Sequence, residues 1–242
     1  MQSGDYSYYG VGRVFLKEKG TATGLMHIGN CSALAFAVSE DVKKQEDYTV
    51  VGGGTVAEVR RLTSVESSVT LLDLDKTNVA RAFYGTGSSV ASAAVVDESH
   101  TAYVGAFIAT NKPMDLEATI TVKEGATVLT LGTEYSVSSG GITVLGGGLI
   151  NGDTVLISYT SIAHESIEGL TTEGKEYELF FEGMNEAKDG RSVNVWAHRV
   201  KFGATDVLDL IKNDFSSMTI KGTLLRDNTK TGTGFPNSSR CN

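Results

Sequence analysis

Between Val59 and Leu71 the chain alternates. Val65, Val69 and Leu71 share one parity with Val59, while Glu58, Arg60, Ser64, Glu66, Ser68 and Thr70 occupy the other, with Arg61, Leu62 and Thr63 blurring the pattern. A period of two predicts a strand with one buried face over Ala57–Leu71. The alternation stops at Leu71-Leu72, where helix signals begin. Asp75 is a good N-cap, Leu74 and Val79 stand at staple positions, and Val79 and Phe83 share a face at i, i+4. Gly85 suits the left-handed position that closes a helix. A helix this short is marginal alone. It should therefore be capped by Asp75 and anchored to a sheet through Val79 and Phe83.

The same reading covers the rest of the chain. Val11–Lys17 predicts a first strand behind a flexible arm, and Cys31–Val38 an almost wholly apolar second strand, covered on both faces. Glu40–Thr55 reads as a long polar loop, because the charges Glu40, Asp41, Lys43, Lys44, Glu46 and Asp47 lead into Gly52, Gly53 and Gly54. Loops of this length are usually functional or mobile. After a Ser/Gly-rich stretch, Tyr103–Ala109 is a candidate strand. Pro113–Ile162 then forms a module of its own, with strand runs at 116–122, 127–131, 135–138, 142–145 and 154–159. Gly125, Gly132, Gly140-Gly141 and Asn151-Gly152 punctuate it as hairpin turns. Strands return at Tyr177–Glu182, Val193–Val200 and Met218–Leu224. Val207–Ile211 fits either a short helix or a buried strand, and Arg226–Asn242 a tail unless a neighbour orders it. The fold class expected is mainly β, a sandwich or barrel with one flanking helix. Its core takes 1–112 and 163–242, with a small all-β insertion at 113–162.

Composition narrows the function classes. The 242 residues are 40% hydrophobic, enough for a core, and no apolar run approaches the ~20 residues of a membrane span. Met1–Gly12 shows no basic region followed by an apolar one, so a cytoplasmic start is expected. Cys31 and Cys241 lie far apart without metal-ligand spacing. The net charge of −8 disfavours ordinary binding of nucleic acid. Glycine is abundant at 28 residues against 2 prolines, which suits tight hairpins over stiff linkers.

Candidate chemistry is sparse. His27, His100, His164 and His198 are isolated, Asp73 and Asp75 fit capping better than metal ligation, and no nucleophile elbow or phosphate loop is present. Glu176, Glu178 and Glu182 form an acidic row for which a solvated strand face is the common cause. The expectation is no catalytic residue, no cofactor, no metal and no enzyme.

In their order, several motifs resemble the tail tube protein (major tail protein) of long-tailed, siphovirus-type bacteriophages. They are the glycine-led opening strand, His27-Ile28-Gly29-Asn30 before an apolar strand, the charged loop, and the run TLLDLDKTNVARAFYG over 70–85. The closing block runs from Tyr177-Glu178-Leu179-Phe180-Phe181-Glu182-Gly183 through 193–202 to Asp214-Phe215 and Leu224-Leu225-Arg226-Asp227. The likeness covers roughly 10–85 and 165–228, and 113–162 departs from the minimal pattern. It implies a virion structural protein forming hexameric rings that stack into a DNA conduit. The loop at 40–55 would reach the next ring, and the terminal arms would bridge subunits. Its partners would be copies of itself, tape measure, tail terminator and distal tail proteins, with DNA passing unbound and no membrane contact. Its place would be the virion tail, and the host cytoplasm during assembly. The rival reading is a surface adhesin or carbohydrate-binding β-module.

Overall fold

A computed structural model describes residues 7–148, 151–205 and 207–229, and the backbone of 239–241. The chain divides into two compact units, 1–87 with 167–242 and 88–166. In chain order the strands are β1 (Gly10–Glu18), β2 (Met26–His27), β3 (Cys31–Glu46) and β4 (Thr55–Leu71). After helix α1 (Lys76–Ala82) come β5 (Thr86–Val90), β6 (Ala94–Thr101), β7 (Phe107–Ala109), β8 (Thr121–Glu124), β9 (Thr127–Val128), β10 (Tyr135–Ser138) and β11 (Gly141–Val144). The last are β12 (Thr154–Thr160), β13 (His164–Glu168), β14 (Glu176–Asn185), β15 (Arg191–Phe202), β16 (Met218–Leu224) and β17 (Ser239–Cys241). Among the described residues the protein is mainly β with one α-helix, as its patterning predicts.

The first unit is one antiparallel sheet in the order β2-β1-β14-β15-β16-β4-β3, with β17 beside β15. Its core is fed by alternate residues of nearly every strand: Val14 and Leu16, Leu179, Val200 and Phe202, Met218 and Ile220, Val69 and Leu71. Helix α1 closes this core. Asp75 accepts the Asn78 backbone N–H at 2.8 Å, so the N-cap is where the sequence puts it. The buried helix face, however, is Asn78, Ala80 and Ala82, while Val79 is half-buried. Phe83 is the C-cap residue and packs beside Leu74 against the core, without full burial. The left-handed residue is Tyr84 (φ 49°), whose hydroxyl donates to the Phe202 carbonyl at 2.9 Å. Gly85 is needed for another reason: a Cβ there would collide with the Glu168 carbonyl oxygen.

The second unit has its own core of Met114, Val122, Tyr135, Ile142, Val144, Val155, Ile157 and Tyr159. One sheet runs β6-β12-β8-β9 and another β10-β11-β7. The unit therefore begins at Ser88, well before Pro113, because β6 pairs with β12 and β7 with β11. These partners lie more than thirty positions downstream, beyond the reach of local pattern. The glycine punctuation is used as read: Gly125, Gly132, Gly141 and Gly152 all adopt positive φ. Strands β5 and β13, which carry the chain in and out, pair with each other.

Candidate functional site

Strands β3 and β4 form one antiparallel ladder from Cys31↔Leu71 to Glu46↔Thr55. This corrects two expectations. Glu40, Asp41, Lys43, Lys44 and Glu46 lie on a strand, and only Asp47 to Gly54 is a turn. Cys31–Val38 is likewise not covered on both faces, since Phe36 is 37% and Val38 62% exposed. The reason is shared. A ribbon exposed on both faces needs no apolar alternation, because its backbone ladder is satisfied whatever its side chains do. Inside the turn, the Asp47 N–H donates to the Gly54 carbonyl at 2.8 Å, and its carboxylate accepts from the Thr49 N–H and hydroxyl, which holds it below the usual carboxylate range.

Residues opposite each other in the ladder share a face. One face carries Leu34, Phe36 and Val38 with Val69, Ser67 and Val65, and so prolongs the core face of the sheet outward. Val69 is fully buried, but cover runs out along the ribbon towards Val38. Farther out the same face bears Glu40, Val42 and Lys44 with Leu62, Arg60 and Glu58. Arg60 meets Glu58 at 2.6 Å and Glu40 at 3.5 Å, and Lys44 meets Glu58 at 3.7 Å. The hydrogen bond that Arg60 donates to Glu58 lowers the Glu58 pKa and raises that of Arg60. Exposed pairs of this kind add little stability. The opposite face begins with Ala33, Ala35, Ala37 and Ser39 and ends with Asp41 and Lys43, 3.4 Å apart. Strand β4 has β16 beside it only over Glu66–Leu71. Among the described residues the outer edge of β3, and that of β4 from Thr55 to Val65, therefore have no neighbouring strand. An isolated two-stranded ribbon is marginal in water.

A cleft of about 510 Å³ lies beside α1, with Leu16, His27, Tyr84, Arg81 and Tyr177 in its wall. The Arg81 guanidinium stacks 5.4 Å from the Tyr177 ring centre and donates to the Asn78 Oδ1 at 2.7 Å. Asn78 itself donates to the carbonyls of Ile28 (2.8 Å) and Asp73 (3.1 Å), tying the helix to the segment before β3. These contacts brace the fold and include no nucleophile beside a base. Cys31, half-buried near Asp73, has its thiol pushed up to about 11, chiefly by burial and then by the Asp73 charge, which disfavours the thiolate at neutral pH. The side chain of Cys241 lies outside the described residues.

The acidic row on β14 is balanced by its neighbours. Glu182 pairs with Arg13 at 3.0 Å, Lys17 stands opposite Glu178, and Arg199 grips Glu176 through two bonds of 2.7 and 2.8 Å, which lower the Glu176 pKa. Between these charges Phe15, Phe180 and Trp196 form a tilted aromatic row across β1, β14 and β15, flanked by His27 and His198. Sequence reading misses this row because each strand supplies only one ring. In the second unit Glu98 is nearly enclosed and accepts from Tyr159 (2.7 Å) and the Asn111 N–H (2.9 Å), with His100 at 2.7 Å. Burial works against its charge, but these hydrogen bonds outweigh it and lower its pKa.

Val207–Ile211 is neither helix nor strand. Val207, Leu210, Ile211 and Phe215 stand exposed in an irregular loop, with Ile211 99% exposed, while Leu208 packs on the core. The Ser216 hydroxyl closes the loop on the Asp209 carbonyl at 2.7 Å. Among the described residues no cluster of potential metal ligands forms, and no helix is long and apolar enough to cross a membrane.

No match is found among curated proteins. One family matches residues 7–237, almost the whole chain, and the chain belongs to that family, described as Protein of unknown function UCP028589.

Proposed function

We propose that this chain is a structural subunit of a phage-type tail tube, in which copies form hexameric rings stacked into a conduit for DNA. The observation that carries the reading is the β3–β4 ribbon. It holds Phe36, Val38, Val56 and Val59 in ordered, exposed positions on strand edges that are unpaired among the described residues, an arrangement that pays off only when other copies cover it. The motif order between 10–85 and 165–228 supports it from the sequence side. The exposed loop at 207–215 offers a second apolar surface, and two different surfaces on one chain suit the head-to-tail contacts that build rings and filaments. The balanced charges of β14 give no ground for an acidic inner wall at that face. A wall of such balanced charge would neither hold phosphate nor strongly repel it.

Negative-stain microscopy of purified protein at rising concentration is the test. Rings or tubes support the reading, and single particles under all conditions overturn it. A carbohydrate-binding β-module is the second reading, and the row around Trp196 is its specific observation. Trp196 is the only tryptophan, so a change of its fluorescence on adding glycans reports such binding directly.

A further inference from the structure

We propose that two free copies of this chain pair antiparallel through the outer edge of β3, about a two-fold axis at Val42. This goes beyond the tube reading, because it concerns the soluble subunit and the polarity of a stacked tube does not require it.

The argument starts from the edge itself. Among the described residues β3 is the last strand of its sheet, and from Ser39 to Glu46 every one of its residues is exposed. Such an edge is a template for another strand. Charges on an edge usually discourage pairing, but here their order selects one register. The sequence Glu40-Asp41-Val42-Lys43-Lys44 inverts its charge about Val42. In an antiparallel pair centred there, Glu40 lies opposite Lys44 of the other copy, and Asp41 opposite its Lys43. By symmetry the same pairs form again on the other side, which makes four opposite-charge pairs and no like pair. A shift of the axis by half a residue leaves two pairs. A full step to residue 43 sets Lys43 against Lys43 and Glu40 against Glu46, and a full step to residue 41 sets Asp41 against Asp41. Parallel pairing in register opposes every charge with its like. Opposite charges directly across a ladder stabilise it, and like charges destabilise it.

The existing contacts do not compete. Lys43 with Asp41, Lys44 with Glu58 and Arg60 with Glu40 are exposed pairs at 3.4 to 3.7 Å, free to share their charges with a second strand. Val42 on the axis brings a β-branched side chain against its equivalent, a favourable strand pair. The product is a four-stranded sheet from two ribbons, with β3 no longer at an edge.

The test uses the whole chain and three variants in analytical ultracentrifugation. Wild type is expected to show a monomer–dimer equilibrium that weakens in salt, since screening shortens the reach of these charges from roughly 8 Å at 0.15 M to roughly 3 Å at 1 M. The double variant E40K/D41K makes the centre wholly basic, and K43E/K44E makes it wholly acidic. Each alone is expected to dimerise about tenfold or more weakly. Mixed in equal amounts they are expected to recover dimer, as a heterodimer, with both retaining the far-UV circular dichroism of wild type. The fourfold exchange E40K/D41K/K43E/K44E, which restores the inversion, should dimerise like wild type. A monomeric wild type, or double variants that dimerise as wild type does, or a mixture that stays monomeric, overturns the proposal. Because none of these readouts involves rings, failure here is separate from failure of the tube reading.

Discussion

Asp227 and Asn78 show how much of this fold hangs on single polar side chains. Asp227 is buried, accepts from Lys19 Nζ at 2.5 Å and from the Thr229 N–H and hydroxyl, and is held far below the usual carboxylate range, first by Lys19 and then by Thr229. A carboxylate with a depressed pKa in the folded state stabilises at every pH above its unfolded value and loses that contribution as pH falls through the folded one. Asp227→Asn is therefore expected to lower stability by a constant amount above pH ~5, with the gap to wild type closing only from about pH 4 downward. Urea melts across that range check it. For Asn78, truncation to Ala strands the Ile28 carbonyl in the interior, and a loss of about 1–3 kcal/mol is expected. Phe83→Ala should cost less than a fully buried ring would, about 1–3 kcal/mol, because the side chain is half-buried at the helix end. At this scale the sequence is legible where chemistry is local, as in the Asp75 cap. It is silent where the partner is remote: nothing near Asn78 points to Ile28, and nothing near Asp227 to Lys19.

Elements were legible in proportion to their burial. β16 is found with its bounds unchanged, since Met218, Ile220 and Leu224 alternate with polar residues over a covered face. β10 is found equally well. Pattern reading finds β4 from Ala57 but loses β3 beyond Val38, since alternation records which side faces a core and the outer half of β3 is exposed throughout. The same fact makes the ribbon removable. If Ser39 is joined to Ser64, opposite it in the ladder, through an Asn-Gly turn, little buried apolar area is lost. The shortened protein is expected to melt within about 0.5 kcal/mol of wild type. It should form no tubes and no dimer. Loss of cooperative folding would mean that the ribbon belongs to the core after all.

At the scale of the whole molecule, two cores imply two foldable pieces. Val122, Val155 and Ile157 are fully buried in a cluster whose members all come from residues 88–166. Expressed alone they are expected to unfold in one cooperative transition, followed by tyrosine fluorescence. Replacing them with a short Gly/Ser linker between Gly87 and Ile167 should leave the first unit folded, since longer or shorter loops cost little free energy. Tube formation by that shortened chain would place the second unit outside the subunit contacts. Composition and hairpin glycines revealed that a separate module exists. Its first boundary stayed hidden because β6 and β7 pair only with strands much later in the chain.

The sheet order also sets a timetable for synthesis. β1 pairs along its whole length with β14, so Gly10 waits for Asn185, and β4 waits for β16. On a ribosome adding about 5–20 residues per second, β1 and β4 stay without these partners for roughly 10–30 s. During that interval the nascent chain can complete the second unit and the β3–β4 ribbon, but not the first core. Its emerged N-terminal part holds a ready-made strand edge in a crowded polysome, where neighbouring nascent copies display the same one. Slower translation lengthens that exposure, so yield in a recombinant host should respond to elongation rate and holding chaperones more than to the stability of the finished fold.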